Sequence, residues 1–246
     1  MSLPEPYYEN DLVTIYHADC LDILPEIEKV DLVLTDPPYG IGIAKKGSIG
    51  GVGKNGKHDN VNNYGKSNWD KHPLSLEQFN KIKSKSKNQI IFGYNYFANI
   101  LPPTNGLIVW DKKCQNNWWD NFSDGEIAWT SFKKPLRIFR YLFLGCNGNN
   151  EITRGKKKHP TQKPLVLIGW MVENWTDKAD IILDPFLGSG TTAVACMQLG
   201  RKCIGIEIEE KYCEIAAKRC EEARTGLTPI EQEMYEGKTL FDAEEE

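Results

Sequence analysis

No stretch of this chain stays apolar long enough to cross a bilayer. Its first residues, MSLPEPYYENDLV, lack the basic-then-apolar profile of an export signal. A cytoplasmic protein with no membrane partner is the expectation. The seven cysteines (20, 114, 146, 196, 203, 213 and 220) are odd in number and include no C-x-x-C pair. That argues against a disulfide framework or a zinc site and for reduced, mostly packed thiols. His58 and His72 have no cysteine near them, so no metal is expected. There is no internal repeat, no G-x-G-x-x-G and no lysine closing a P-loop, so neither a pyrophosphate nor a triphosphate ligand is indicated.

What is present suffices for a sizeable core: 246 residues, 40% of them hydrophobic. The net charge of −4 is unevenly spread. Between Gly42 and Lys87, ten lysines oppose Asp59, Asp70 and Glu77, or +7; from Glu221 to Glu246, nine acids oppose Arg224 and Lys238, or −7. A cationic face on an acidic protein is therefore expected. The spacing predicts a single domain over 1–225, with a mobile loop at about 40–72, followed by an acidic tail over 226–246.

Strands are expected at Leu12–Tyr16, Asp31–Leu34, Gln89–Phe92, Leu107–Trp110, Ala179–Leu183 and Lys202–Ile206. Helices are expected at Leu21–Ile27, Leu76–Lys83, Tyr96–Leu101, Leu165–Trp175 (with Pro164 in its first turn), Gly190–Leu199 and Glu210–Ala223. Glu126–Phe132 and Arg137–Leu144 read as a β-pair around Lys133-Lys134-Pro135. Strands alternating with helices imply an α/β protein with a mostly parallel sheet.

Two stretches carry chemistry. TDPPYG, from Thr35, ends a buried strand with prolines that cannot continue a ladder; on its own it also fits an Asp-Pro turn. ILDPFLGSGTT, from Ile182, is strand, glycine turn, helix, and Glu207 ends the next strand 23 positions after Asp184. An acid so placed can accept both hydroxyls of a ribose in a nucleotide-type site.

DPPY at Asp36–Tyr39, HPTQKP at His159–Pro164 and DPFLGSGTT at Asp184–Thr192, in that order, resemble the β group of S-adenosylmethionine-dependent DNA amino-methyltransferases, which make N6-methyladenine or N4-methylcytosine. The resemblance covers about Leu12–Ala223 and extends to the small solitary enzymes of phages and prophages. It implies a Rossmann-like methyltransferase fold with circularly permuted motifs and a mixed seven-stranded sheet with helices on both faces. The one antiparallel strand would come from Glu126–Leu144. Its cofactor would be S-adenosyl-L-methionine, lined by Asp184, Phe186, Gly188, Ser189, Gly190, Thr191 and Thr192. Glu207 would take the ribose, and Asp19, beside Cys20, the adenine amine; Asp19 equally suits an N-cap. Lys163 and Pro164 would cover the methionine moiety. Asp36 and the Pro37 carbonyl, stiffened by Pro38, would hold the two N–H bonds of a flipped base stacked on Tyr39. In this family DPPY leans towards adenine and SPPY towards cytosine.

Double-stranded DNA is the expected partner. Lys45, Lys46, Lys54, Lys57, Lys66 and Lys71 suit phosphates, or form a solvated loop. A short target-recognition region at about 111–158 contains Asn116-Asn117-Trp118-Trp119, which could reach bases or pack a core. It also holds Lys133, Lys134, Arg137 and Arg140. A region this short predicts a short or relaxed target site, or help from a second subunit, as in a homodimer. Gly237–Phe241 weakly resembles a sliding-clamp peptide. The rival readings are a cytosine-N4 enzyme, an RNA or protein amine methyltransferase, and a catalytically silent DNA-binding protein.

Overall fold

The structure, a computed structural model, describes residues 2–46, 48–49, 62–63, 65–114, 123–143, 159 and 161–224. In chain order its elements are β1 (Tyr8–Glu9), β2 (Val13–His17), α1 (Cys20–Ile23) running into a 3-10 turn at Leu24–Glu26, and β3 (Val30–Thr35). Next come α2 (Ile43–Lys46), β4 (Ser48–Ile49), β5 (Asn62–Asn63), α3 (Leu76–Ser84), β6 (Ser86–Phe92) and α4 (Tyr94–Phe97). Then follow β7 (Leu107–Asp111), β8 (Gly125–Thr130), β9 (Arg137–Arg140), α5 (Leu165–Trp175), β10 (Ile181–Asp184), α6 (Thr191–Gln198), β11 (Lys202–Glu207) and α7 (Glu210–Arg224). No helix among the described residues is long and apolar enough to cross a membrane.

The described residues form two compact units. One draws on 1–35, 82–88 and 163–246, the other on 36–81 and 89–162, so β6 contributes to both. In the first unit the strand order is β1-β2-β11-β10-β3. β2, β11, β10 and β3 run parallel, and β1 adds an antiparallel edge. Parallel strands buried on both faces need continuous apolar runs. Val13, Ile15, Leu32, Val33, Leu34, Ile182, Leu183, Cys203 and Ile206 supply them, all buried. α6 is built of small residues, and every one from Thr191 to Cys196 is buried, which lets α5 and α7 pack closely against it.

In the second unit the order is β6-β8-β7-β9. The expected β-pair does not form. β8 is antiparallel to both β6 and β7, while β9 lies parallel on the far side of β7. The six residues from Ser131 to Leu136 are too long for a tight hairpin turn. The end of β8 is instead pinned to the start of β7, where the Thr130 N–H and hydroxyl both donate to the Gly106 carbonyl, at 3.0 and 2.6 Å. β8 is the antiparallel strand that the resemblance implied. Among the described residues the two orders together hold nine strands, not seven, the short edge pieces β1 and β9 being the additional ones. Within the segment read as loop, α2 and the β4–β5 pair are regular. Pro164 stands one position before α5, its carbonyl accepting from the Ile168 N–H at 3.2 Å.

Candidate functional site

In the first unit, ladder register brings the carboxyl ends of β2, β11 and β10 level: Glu207 faces His17 and Asp184 faces Gly205. Ligands of open parallel sheets bind at such ends. Asp184 is buried, and its carboxylate braces the turn that follows. Oδ1 accepts from the Thr35 hydroxyl at 2.6 Å and the Phe186 N–H at 3.1 Å, and Oδ2 from the Thr192 hydroxyl at 2.6 Å. The turn reverses through Gly188 (φ 55°) and Gly190 (φ 82°), conformations natural to a residue without Cβ. It is seated by the Leu187 N–H on the Ile206 carbonyl, 2.9 Å. A Cβ on Gly205 would lie 2.5 Å from the Leu187 side chain.

Glu207 is buried, with one carboxylate oxygen accepting from the Gly188 N–H at 2.7 Å and the other from the Glu209 N–H at 2.8 Å. Burial outweighs those two bonds and pushes its carboxyl up to about 7. Each oxygen retains acceptor capacity beyond one N–H, an acceptor set suited to two adjacent hydroxyls. Asp19 is exposed and caps α1 by accepting from the Leu21 N–H at 2.8 Å; Cys20, Lys163 and Pro164 are buried, Phe186 half-buried. The sequence reading missed Thr35, whose hydroxyl anchors Asp184. It also missed Arg219 on α7, which bonds to Ser189 and Thr191.

In the second unit, the Tyr39 hydroxyl donates to Asp36 Oδ1 at 2.6 Å. Burial first, and then the Asp36 charge, raise the Tyr39 phenol well above its ordinary value, so it stays a donor. Its ring lies stacked on Tyr96, centroids 4.6 Å apart and 17° off parallel, with the Phe97 edge at 5.8 Å. Gly93 (φ 83°) abuts that ring so closely that a Cβ would sit 2.4 Å from it. Pro37 is buried, and the Pro38 carbonyl accepts from the Leu74 N–H at 3.2 Å. Asp70 closes the turn, its two oxygens accepting from Gly40 and Ile43 N–H, each at 2.8 Å. Asp70 and Tyr96 were not singled out beforehand; a lone acid in a lysine-rich stretch reads only as charge. His159 lies beside Trp69, ring centroids 5.0 Å apart.

Of the DNA-contacting candidates, Lys45, Lys66, Lys71, Lys133, Lys134, Arg137 and Arg140 are exposed, and Lys46 ends α2. Lys54, Lys57, Asn116, Asn117, Trp118, Trp119 and the 226–246 tail lie outside the described residues. The six described cysteines form no disulfide, and among the described residues no cluster of three or more His, Cys, Asp or Glu could hold a metal.

A family model for DNA methylases of the N6/N4 type matches residues 63–218. YubD of Escherichia coli (strain K12), which bears a methylase name, is 39% identical over 237 residues, covering 92% of this chain and 94% of its own. The type II methyltransferase M2.MboI of Moraxella bovis is 29% identical over 282 residues, covering 95% and 96%. Among solved structures, the M1.HpyAVI–SAM complex superposes with a TM-score of 0.55 at 29% identity, over 85% of this chain and all of that one. With the DPPY turn and the glycine turn below Glu207 both in place, the match has a structural basis: the chain belongs to the N6/N4 DNA methylase family.

Proposed function

We propose that this protein transfers a methyl group from S-adenosylmethionine to the exocyclic amine of a base in double-stranded DNA, with adenine N6 as the acceptor. The observation that carries the reading is Glu207, buried at the carboxyl end of β11 with one oxygen on the Gly188 N–H of the glycine turn and the other on the Glu209 N–H, a pair of acceptors suited to two ribose hydroxyls.

When bound, S-adenosylmethionine supplies an activated methyl on a sulfonium. The work left to the chain is positioning, which can supply much of a rate enhancement. Glu207 would hold the ribose hydroxyls, Asp19 the adenine amine, and Lys163 with Pro164 the methionine moiety. The amine of a nucleobase is a poor nucleophile because its lone pair is delocalised into the ring. Asp36 and the Pro37 carbonyl, each accepting one N–H, favour the pyramidal form whose lone pair is available. With the cofactor bound, the amine would take the methyl as the C–S electrons return to sulfur, and Asp36 or water would accept the proton that the amine sheds. Tyr39 gives a stacking face worth about 1–3 kcal/mol per base.

The aspartate in DPPY favours adenine. Mass spectrometry of nucleosides from unmethylated DNA incubated with labelled cofactor tests this. N6-methyladenine is the expected product, N4-methylcytosine would transfer the assignment to cytosine, and no labelled nucleoside would end the proposal.

A further inference from the structure

We propose that Arg219 is a positioning residue for the cofactor turn, its guanidinium setting the orientation of the Ser189–Gly190 peptide. The inference rests on reading that turn as part of the S-adenosylmethionine site. Arg219 Nη1 lies 2.5 Å from the Ser189 carbonyl oxygen and 3.2 Å from each of the Ser189 and Thr191 hydroxyls. The other pole of the same peptide, the Gly190 N–H, donates to the Leu187 carbonyl at 3.1 Å. The plane is held at both ends.

That matters because of what flanks it. Gly188 and Gly190 both have positive φ, and glycine populates either sign of φ about equally. The peptides between them therefore have little intrinsic preference for where their carbonyls point. A flipped Ser189–Gly190 plane would exchange carbonyl and N–H at the mouth of α6 and reverse the peptide dipole there. A charge-assisted bond to the carbonyl selects one orientation. One turn earlier on α7, Ala216 fills the space behind Gly190: a Cβ there would lie 2.6 Å from the Ala216 Cβ. Positions i and i+3 of a helix share a face, so α7 meets the turn with a close contact at Ala216 and a charge at Arg219.

A brace that merely stabilised the fold would behave differently. Calorimetric titration of S-adenosylmethionine into wild type, Arg219→Met and Arg219→Lys, with a thermal melt of each, separates the two. Arg219→Met is expected to bind about tenfold more weakly or worse. Arg219→Lys should fall between, because an ammonium keeps the charge but not the planar fork. Added dilute guanidinium chloride should tighten binding to Arg219→Met and leave wild type unchanged. In turnover on unmethylated genomic DNA the KM for cofactor should rise far more than kcat falls. If Arg219→Met unfolds, the Lys variant carries the comparison. Affinities of both variants within about twofold of wild type would overturn the proposal. So would a weakening that tracks the drop in Tm and is not rescued. Failure of wild type itself to bind S-adenosylmethionine would instead sink the cofactor reading.

Discussion

The Tyr39 hydroxyl donates to Asp36 across 2.6 Å while its ring lies flat on Tyr96, so one side chain couples a carboxylate to an aromatic surface. Tyr39→Phe separates the two, keeping the ring and removing its hydrogen bond to the carboxylate. A hydrogen bond to a charged group is worth about 1.5–3 kcal/mol, so kcat for methyl transfer should fall at least about tenfold with cofactor affinity unchanged. Asp36→Ala should go further, abolishing transfer while cofactor still binds; calorimetry beside a tritium-transfer assay checks both. Glu207 gives a pH signature. Its folded carboxyl titrates near 7, above the ordinary carboxylate value of 4.5, so between those values the folded state holds a proton that the unfolded state has lost. Cofactor-free stability should therefore decline as pH rises through that window. Cofactor affinity should move oppositely, tightening from pH 6 to about 8, because the ionised carboxylate is the better acceptor for two hydroxyls. Glu207→Gln should flatten both profiles, and a wild-type affinity that weakens with rising pH would contradict the assignment.

Gly93 shows how an element shapes the site. It precedes α4 in the left-handed region, and its missing Cβ is what lets the Tyr39 ring sit where it does. Gly42, in the same unit, has similar φ but nothing within 4 Å of a built Cβ. Gly93→Ala should cost about 1–2 kcal/mol of stability through backbone strain and should lose most methyl transfer as the ring is displaced. Gly42→Ala should show the strain alone, and equal activities for the two variants would count against a role for Tyr39. The sequence made some elements plain and hid others for physical reasons. α5 was legible to the residue, and β10, α6, β11 and α7 to within two, because each is an apolar run or stripe bounded by glycine, proline or polar residues. β9 was found but wrongly paired, since whether Ile138 faces Val109 or a β8 residue depends on non-local packing. Two-residue β1 offers no periodicity at all. Among the candidate site residues, Asp184, Glu207 and Asp36 stand out in the sequence through strand ends and motifs. Arg219, within KRCEEAR, reads as part of a solvated helix face until the chain is folded 30 positions back upon it.

At the scale of the whole molecule the question is how a chain of net charge −4 would hold a polyanion. Lys133 and Lys134 lead into β9, and Arg137 and Arg140 stand on it, all exposed. Arg140 has Asp111 within 3.7 Å, which partly offsets its charge, so the set to replace is Lys133, Lys134 and Arg137. Phosphate contacts release condensed counterions, so each one neutralised steepens the fall of binding with salt by about 0.9 in the log–log slope. Replacing Lys133, Lys134 and Arg137 together by alanine should make that slope shallower by about 2–3, with S-adenosylmethionine affinity unchanged because none of the three belongs to the glycine turn. Exposed lysines contribute little to folding stability, so the melting temperature should stay near that of wild type. Fluorescence anisotropy of labelled duplex DNA over a salt series measures the slope directly. If it is unchanged, the grip on DNA lies elsewhere, and the lysines between Gly42 and Lys87, which carry the larger share of positive charge, become the next set to replace.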